Sequence, residues 1–122
     1  MPRFLAVLSL TLAPLLASAE EMISVYNWND YIAPEVLQSF EKESGIRVDY
    51  HTYSTAEELE KLMASGVAMD VAVPSHDALP GLIKTAAIQP LDLTRLPNRQ
   101  HLDKQLLSKL AAFDTKNLHA IP

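Results

Sequence analysis

The sequence contains no cysteine and only three glycines. Without cysteine the chain cannot form a disulfide, a thiolate metal site, a cysteine nucleophile or a lipid-modified cysteine. The few glycines build neither a P-loop nor a G-x-G-x-x-G fingerprint, and no G-x-S-x-G motif is present. The familiar nucleotide-binding and hydrolase signatures are therefore missing, and no cofactor is predicted.

Basic residues are also in deficit. Ten Lys and Arg face fifteen Asp and Glu, giving a formal net charge of −5. Nucleic-acid binding needs clustered Lys and Arg that neutralise phosphates, so this class of partner is not expected. An acidic chain is compatible with a cationic partner.

Histidines give no sign of a metal centre. The four of them are far apart, with no H-x-x-x-H spacing between any two, at positions 51, 76, 101 and 119. Ser75, His76 and Asp77 are consecutive, but neighbours on one loop point in different directions and do not make a catalytic triad. No metal site and no catalysis are predicted.

The first nineteen residues match a cleavable signal peptide. Arg3 supplies the positive region, Phe4 to Leu16 is apolar, and Ala17-Ser18-Ala19 fits the cleavage site. The apolar run has 13 residues, short of the roughly 20 that span a bilayer. The alternatives are a membrane anchor or a buried helix. We expect residues 1–19 to be the leader and residues 20–122 to be exported to the periplasm.

Residues 20–122 alternate between strand-like and helix-like patterns. Strands are predicted at 22–27, 46–53, 69–74 and, as a beginning only, 119–122. Helices are predicted from Pro34 to Gly45, from Ala56 to near Gly66, over 78–86, and around the leucines at 102–110. Val36, Leu37 and Phe40 give the first helix one apolar stripe. This order predicts an α/β fold with βαβ units and a mainly parallel sheet.

Several residues match known helix boundary signals. Pro34 suits a first helical position, and Gly45 suits the residue that ends a helix. Ser54 and Thr55 precede Glu57 and Glu58 at the spacing of a capping box. Ser75 and Asp77 are both candidates to cap the third helix.

Two loops should share one edge of the sheet. In parallel α/β sheets ligands bind outside the carboxyl ends of the strands. The loop at 28–33 follows the first strand and the loop at 75–77 follows the third. Together they offer two carboxylates, two aromatic rings and no arginine, in the residues Trp28, Asn29, Asp30, Tyr31, Ser75, His76 and Asp77. Aromatic faces and carboxylates together suit an organic cation.

Each of these residues also has a structural interpretation. Trp28 and Tyr31 could simply pack, Asp30 could form a turn, and Ser75 and Asp77 could cap a helix. A helix cap can also contact a ligand, so the two interpretations do not exclude each other.

Longer motifs carry a family resemblance. "VYNWNDYIAPEVLQSFEKESGIRVDY", "DVAVPS", "IQPLDLTRLPN" and "AIP" occur in the order in which they occur in periplasmic spermidine/putrescine-binding proteins. The chain from about Ser24 to Pro122 resembles the N-terminal part of these solute-binding components of ABC importers. The resemblance implies a type II periplasmic binding protein lobe, a monomer that holds a polyamine and passes it to permease subunits.

The resemblance also implies roles for the residues of the rim. Trp28 would lie along the methylene chain, and Asp30 would contact an ammonium group. Asn29 and Ser75 would add polar contacts, with Tyr31 and Asp77 nearby. Asn29 stands where relatives often have Ser or Thr, and Asp77 where they have Ser or Tyr, which leaves putrescine, spermidine and other organic cations open.

The family is about three times as long as this chain, with a second lobe that closes over the ligand. Two interpretations follow: a piece of a longer polyamine-binding protein, or a truncated remnant with weak or no ligand binding.

Overall fold

The computed structural model describes residues 21–122, so the predicted signal peptide at 1–19 lies outside the described residues. Three strands and three helices alternate up to residue 84, and short 3-10 turns and a fourth helix follow. The elements are β1 (Met22–Trp28), α1 (Pro34–Ser44), β2 (Arg47–Tyr53), α2 (Ala56–Ala64), β3 (Val71–Ala72), α3 (Leu79–Lys84) and α4 (Lys104–Leu110). Within residues 21–122, no helix has the length and apolar composition needed to cross a bilayer.

The three strands form one parallel sheet in the order β2-β1-β3. Tyr26 in the central strand is level with His51 on one side and with Ala72 on the other. This confirms the predicted parallel α/β sheet and places the first and third strands next to each other. In this order the connections from β1 and β3 leave a crevice at the carboxyl ends, the usual place for a ligand.

β3 is much shorter than the predicted strand at 69–74, although single backbone bonds to β1 continue at both of its ends, from the Asp70 N–H to Ser24 O at 3.2 Å and from the Val73 N–H to Tyr26 O at 3.0 Å. A side-chain clip adds to the first of them. The Asp70 carboxylate accepts hydrogen bonds from the Ser24 N–H at 2.8 Å and the Ser24 hydroxyl at 2.9 Å. The Asp70 N–H in turn donates to Ser24 Oγ at 3.0 Å. These bonds, the backbone one first, lower the pKa of Asp70. At the other end Pro74 has no N–H to donate.

The boundaries of α1 and α2 confirm the signals in the sequence. Pro34 is the first residue of α1, and Gly45 ends it at φ 73° with its N–H bonded to Glu41 O at 2.9 Å. Thr55 caps α2 by accepting the Glu58 N–H at 3.2 Å. The Glu58 carboxylate returns to the Ser54 N–H at 2.8 Å, which completes a close variant of the predicted capping box.

The apolar stripe of α1 is only partly covered within the described residues. Val36 is 53% exposed and Phe40 is 41% exposed, whereas Leu37 is half-buried. A hydrogen bond joins α1 to β2, in which the Glu41 carboxylate accepts the Val48 N–H at 2.8 Å.

The main core lies on the other face of the sheet. Tyr26, Tyr53 and Leu59 are buried there, because alternate residues of β1 and β2 face α2. Partly buried neighbours complete it: Trp28, Leu62, Met63, Met69 and Ala72. The packing of α2 therefore fixes the position of the strand ends.

The third helix begins later than predicted. A 3-10 turn at His76–Ala78 precedes α3, and Pro80 lies in the first turn of α3, where proline is tolerated. Neither Ser75 nor Asp77 caps a helix with its side chain, so both capping predictions are wrong. Asp77 lies inside the 3-10 turn, one residue before Ala78, which occupies the N-cap position of α3.

The predicted strand at 119–122 does not form. Asp114, whose exposed fraction is 0%, accepts the N–H groups of His119 at 2.7 Å and Ala120 at 2.9 Å, and the His119 ring at 3.0 Å. These donors are therefore unavailable for a strand ladder. Burial alone would raise the pKa of Asp114, but the hydrogen bonds from His119, Ala120 and Leu118 bring that pKa below its usual value.

Candidate functional site

The carboxyl ends of β1 and β2 meet in an aromatic pair. Trp28 is the last residue of β1 and pairs with Tyr53, the last residue of β2. Their ring centroids are 4.8 Å apart, with the planes tilted by 58°. The sequence predicts Trp28 in the loop, but it is the last residue of the strand. It is only partly buried. One side of the indole packs on protein while part of it faces solvent.

Tyr53 is the buried member of this pair, with 1% of its surface exposed. Its hydroxyl donates to the carbonyl oxygen of Val73, just beyond β3. Burial, together with the neighbouring Tyr31 and Tyr50, raises the pKa of Tyr53 to about 12. The hydroxyl therefore keeps its proton, and its hydrogen bond, at any physiological pH.

Asn29 follows Trp28 and is held by the end of β2. Its N–H donates to the carbonyl of Tyr53 at 3.2 Å, and its side-chain amide donates to Ser54 Oγ at 2.6 Å. The amide group of Asn29 is thus already engaged within the protein, while the residue as a whole stays exposed.

Asp30 sits at the tip of the turn. Its φ of 60° is left-handed, a conformation that Asp tolerates better than most residues. The residue is exposed. Tyr31, 70% exposed, follows with its ring centroid 6.3 Å from that of Trp28. The turn interpretation of Asp30 is correct, and this same turn presents its carboxylate to solvent beside two aromatic rings.

The second loop reaches the same sheet edge through Val73. The Val73 N–H donates to the Tyr26 carbonyl at 3.0 Å, which continues the pairing of β3 with β1. Ser75, half-buried, precedes the 3-10 turn, and Asp77, exposed, lies within it. His76 between them packs edge-on against Phe113, with centroids 4.6 Å apart. Ring contact joins Trp28 and Tyr31, and Asn29 is bonded to Tyr53 and Ser54. Ser75 and Asp77 share the edge only through the chain that follows Val73, whose carbonyl accepts the Tyr53 hydroxyl.

Three residues of this edge escaped the analysis of the sequence: Tyr53, Ser54 and Val73. The rule that carboxyl ends of parallel strands share an edge applies equally to the second strand. Its use there would have identified Tyr53 and Ser54. Nothing in the sequence signals the hydroxyl bond to Val73, because that bond joins segments 20 positions apart.

The chemistry of the edge favours cations. Segments 28–31 and 75–77 carry two carboxylates, those of Asp30 and Asp77, and neither a Lys nor an Arg. Exposed aromatic rings attract ammonium groups and pack on methylene carbons. The described edge is a single open wall, so a cation bound to it would keep part of its hydration.

A separate cleft of about 430 Å³ lies between α3 and the loop after α4. Two lysines contribute to it, and so does Asp114, whose carboxylate is already hydrogen-bonded to backbone N–H groups. Its lining is mixed, and consists of Pro80, Ile83, Lys84, Phe113, Asp114, Thr115, Lys116, Leu118 and His119. None of the seven predicted rim residues lines this cleft.

Sequence comparison finds close relatives of known binding specificity. The putrescine-binding periplasmic protein SpuD of Pseudomonas aeruginosa is 44% identical over 122 residues, which cover 95% of this chain and 33% of SpuD. The putrescine-binding periplasmic protein PotF of Escherichia coli is 42% identical over 108 residues, or 88% of this chain and 29% of PotF. The chain therefore spans about one third of the length of these relatives. No protein-family model matches it.

Solved structures give the same result for the fold. The spermidine/putrescine ABC transporter substrate-binding protein PotD of Streptococcus pneumoniae superposes with a TM-score of 0.79 at 30% identity, over 84% of this chain and 31% of PotD. The PotD lipoprotein of Treponema pallidum matches in fold, with a TM-score of 0.77 at 24% identity over 84% of this chain and 32% of its own. The expected lobe of a type II binding protein is confirmed. The chain is therefore similar to periplasmic polyamine-binding proteins and spans about one third of their length.

Proposed function

We propose that this chain supplies one wall of a polyamine site in a periplasmic solute-binding protein, and that it performs no catalysis. The observation that carries the proposal is the strand-end pair of Trp28 and Tyr53, with the exposed Asp30 carboxylate two residues beyond Trp28. The putrescine specificity that the relatives' names state supports the choice of ligand.

Each residue of the wall has a proposed part. The exposed side of Trp28 packs on the methylene chain and attracts the ammonium group that follows it. Asp30 accepts a charge-assisted hydrogen bond from that ammonium group. Ser75 and Asp77 supply oxygen acceptors from the neighbouring loop, and Tyr31 adds a second ring beside Trp28. Asn29 acts mainly by holding the turn, because its amide is bonded to Ser54.

The cellular part of the proposal rests on the relatives. Residues 1–19 direct export, the mature protein resides in the periplasm as a monomer, and permease subunits of an ABC importer receive the polyamine. The names of the relatives place those proteins in the periplasm and in polyamine transport.

A second candidate is a chain that binds polyamines weakly or not at all. The observation behind it is the open geometry of the described edge, where a single wall leaves the ammonium groups hydrated and the affinity low. The uncovered stripe of α1 is consistent with a lobe that lacks part of its packing.

Calorimetry separates the two candidates. The 122-residue chain is titrated with putrescine, with spermidine, and with 1,4-butanediol, which keeps the methylene chain of putrescine but carries no charge. Saturable micromolar binding of a polyamine, with no heat from the diol, supports the proposed function and contradicts the remnant. Equal heats for diamine and diol contradict the proposed function, and no heat at all favours the second candidate.

A further inference from the structure

We infer that Tyr53 is the positioning residue of this edge: it sets the orientation of Trp28 and its distance from the Ser75 loop. The effect of Tyr53 on ligand binding rests on the proposed function. Its structural part can be tested on the ligand-free chain.

The position of Tyr53 lets it reach both neighbouring strands. It ends β2, which is not hydrogen-bonded to β3, because β1 lies between them. Its ring nevertheless passes under the end of β1, where it packs on Trp28 at 4.8 Å, and its hydroxyl reaches the carbonyl of Val73 beyond β3. One side chain therefore connects the carboxyl ends of all three strands.

The backbone of Tyr53 adds a further contact. Its carbonyl accepts the N–H of Asn29 at 3.2 Å, so the residue that follows Trp28 is fixed to the end of β2 as well. Trp28 is thereby held on two sides, by the Tyr53 ring and by the bond at Asn29. Val73 is held by the Tyr53 hydroxyl and by its own bond to Tyr26.

Burial makes this arrangement rigid. Tyr53 is almost fully buried, and Leu59 of α2 packs in the same core cluster. A buried ring in a packed core has one preferred position. Asp30 lies two residues after Trp28, and Ser75 lies two residues after Val73. Tyr53, which contacts both Trp28 and Val73, therefore helps to set the distance between the two loops.

The test compares Tyr53→Phe with Tyr50→Phe in the full chain. Tyr53→Phe keeps the ring and removes the hydroxyl bond to Val73. Tyr50 lies on the same strand, and its buried hydroxyl has no hydrogen-bond partner within the described residues, so Tyr50→Phe deletes a hydroxyl without breaking a bond. Both variants are compared with the unaltered chain under conditions in which denaturant curves show all three to be folded.

Trp28 is the only tryptophan, so the chain has one indole N–H resonance and one indole fluorophore. We expect Tyr53→Phe to shift that resonance and to change indole fluorescence, and Tyr50→Phe to leave both unchanged. We expect putrescine affinity to fall roughly three- to tenfold in Tyr53→Phe alone, the effect of one lost hydrogen bond.

An unchanged indole signal together with unchanged affinity in Tyr53→Phe overturns the inference and leaves the proposed function intact. Equal changes in both tyrosine variants also overturn it, because they indicate general loosening of the core. If the unaltered chain does not bind putrescine, the second candidate function is favoured over the first. The indole resonance of Tyr53→Phe then still decides whether Tyr53 orients Trp28.

Discussion

Trp28 and Tyr53 end adjacent parallel strands, and their rings pack with centroids 4.8 Å apart. Tyr53 is buried and bonded to Val73, whereas Trp28 is only partly buried. Trp28 thus packs on the core while part of its surface stays accessible to solvent. The two interpretations of this tryptophan that the sequence left open are compatible in the structure.

Replacement of Asp30 by Asn should weaken polyamine binding. Asp30 is exposed at the tip of its turn, and loss of its charge removes a charge-assisted hydrogen bond. We expect affinity to fall roughly tenfold to a hundredfold, with the stability of the fold nearly unchanged because Asn also tolerates the left-handed conformation. Calorimetry with putrescine measures the change. Glu60→Gln, an exposed acid on α2, is the matched control, and an equal loss there would point to net charge alone.

Tyr53 should make the fold sensitive to alkali. Its pKa is raised from 10.0 to about 12 in the folded chain, so the neutral phenol is favoured by folding. The corresponding stability is fully present below pH 10.0 and is lost as pH rises toward about 12. The contribution is roughly 2 to 3 kcal/mol.

Denaturant unfolding at several pH values, with and without Tyr53→Phe, measures this contribution. The unfolding free energy of the unaltered chain minus that of Tyr53→Phe should fall as pH rises through that interval, because the variant has no phenol to ionise. Lysines that titrate in the same interval affect both chains equally. A constant difference would show that Tyr53 ionises as freely in the folded as in the unfolded chain.

Asp114 should make the fold sensitive to acid. Burial alone would raise the pKa of Asp114, but the hydrogen bonds from His119, Ala120 and Leu118 outweigh it and bring that pKa below its usual value. The stability that ionised Asp114 contributes is therefore present above the unfolded pKa of about 3.9 and is lost as pH falls through the lower folded pKa. Asp114→Asn should cost roughly 1 to 3 kcal/mol at neutral pH and flatten the acid limb of the stability profile. An unchanged acid limb in this variant would assign the loss of stability to another carboxyl group.

Thr55→Ala should destabilise α2 by about 1 kcal/mol, because it removes the acceptor for the Glu58 N–H. Thermal or chemical unfolding measures the change. Thr52→Ala, an exposed threonine on β2, is the comparison. Leu59 of α2 packs in the same core cluster as Tyr53. We therefore also expect the Thr55 variant to make the ends of β1 and β2 more mobile.

Local signals predicted the first half of the fold well. Pro34, Gly45 and Thr55 mark helix ends through backbone chemistry that acts within a few residues. The order of strands and helices then predicts a parallel sheet, as found.

Predictions failed where a side chain competes with strand pairing for backbone donors. The Asp70 carboxylate accepts the N–H of Ser24, and Asp114 takes the N–H groups that a strand at 119–122 would need. The first of these bonds joins residues 46 positions apart, which a short window of sequence does not contain. The second spans only five or six positions, but it depends on the burial of Asp114. In the stripe of α1 the pattern is apolar, yet Val36 and Phe40 are exposed within residues 21–122.

The candidate site was predictable in its loops and not in its support. The edge rule and the resemblance identified the segments that carry Trp28, Asp30 and Ser75, whose roles in binding stay predictions. Tyr53 was missed because its function depends on a hydroxyl bond to Val73 across the sheet.

The fluorescence of Trp28 during a putrescine titration tests the central claim most directly, because the chain has no other tryptophan. If the indole packs on the polyamine, its emission must change saturably, with a midpoint equal to the dissociation constant from calorimetry. Butanediol must leave the emission unchanged. Calorimetric binding of putrescine with unaltered Trp28 emission would contradict the account, because the ligand would then lie elsewhere on the chain.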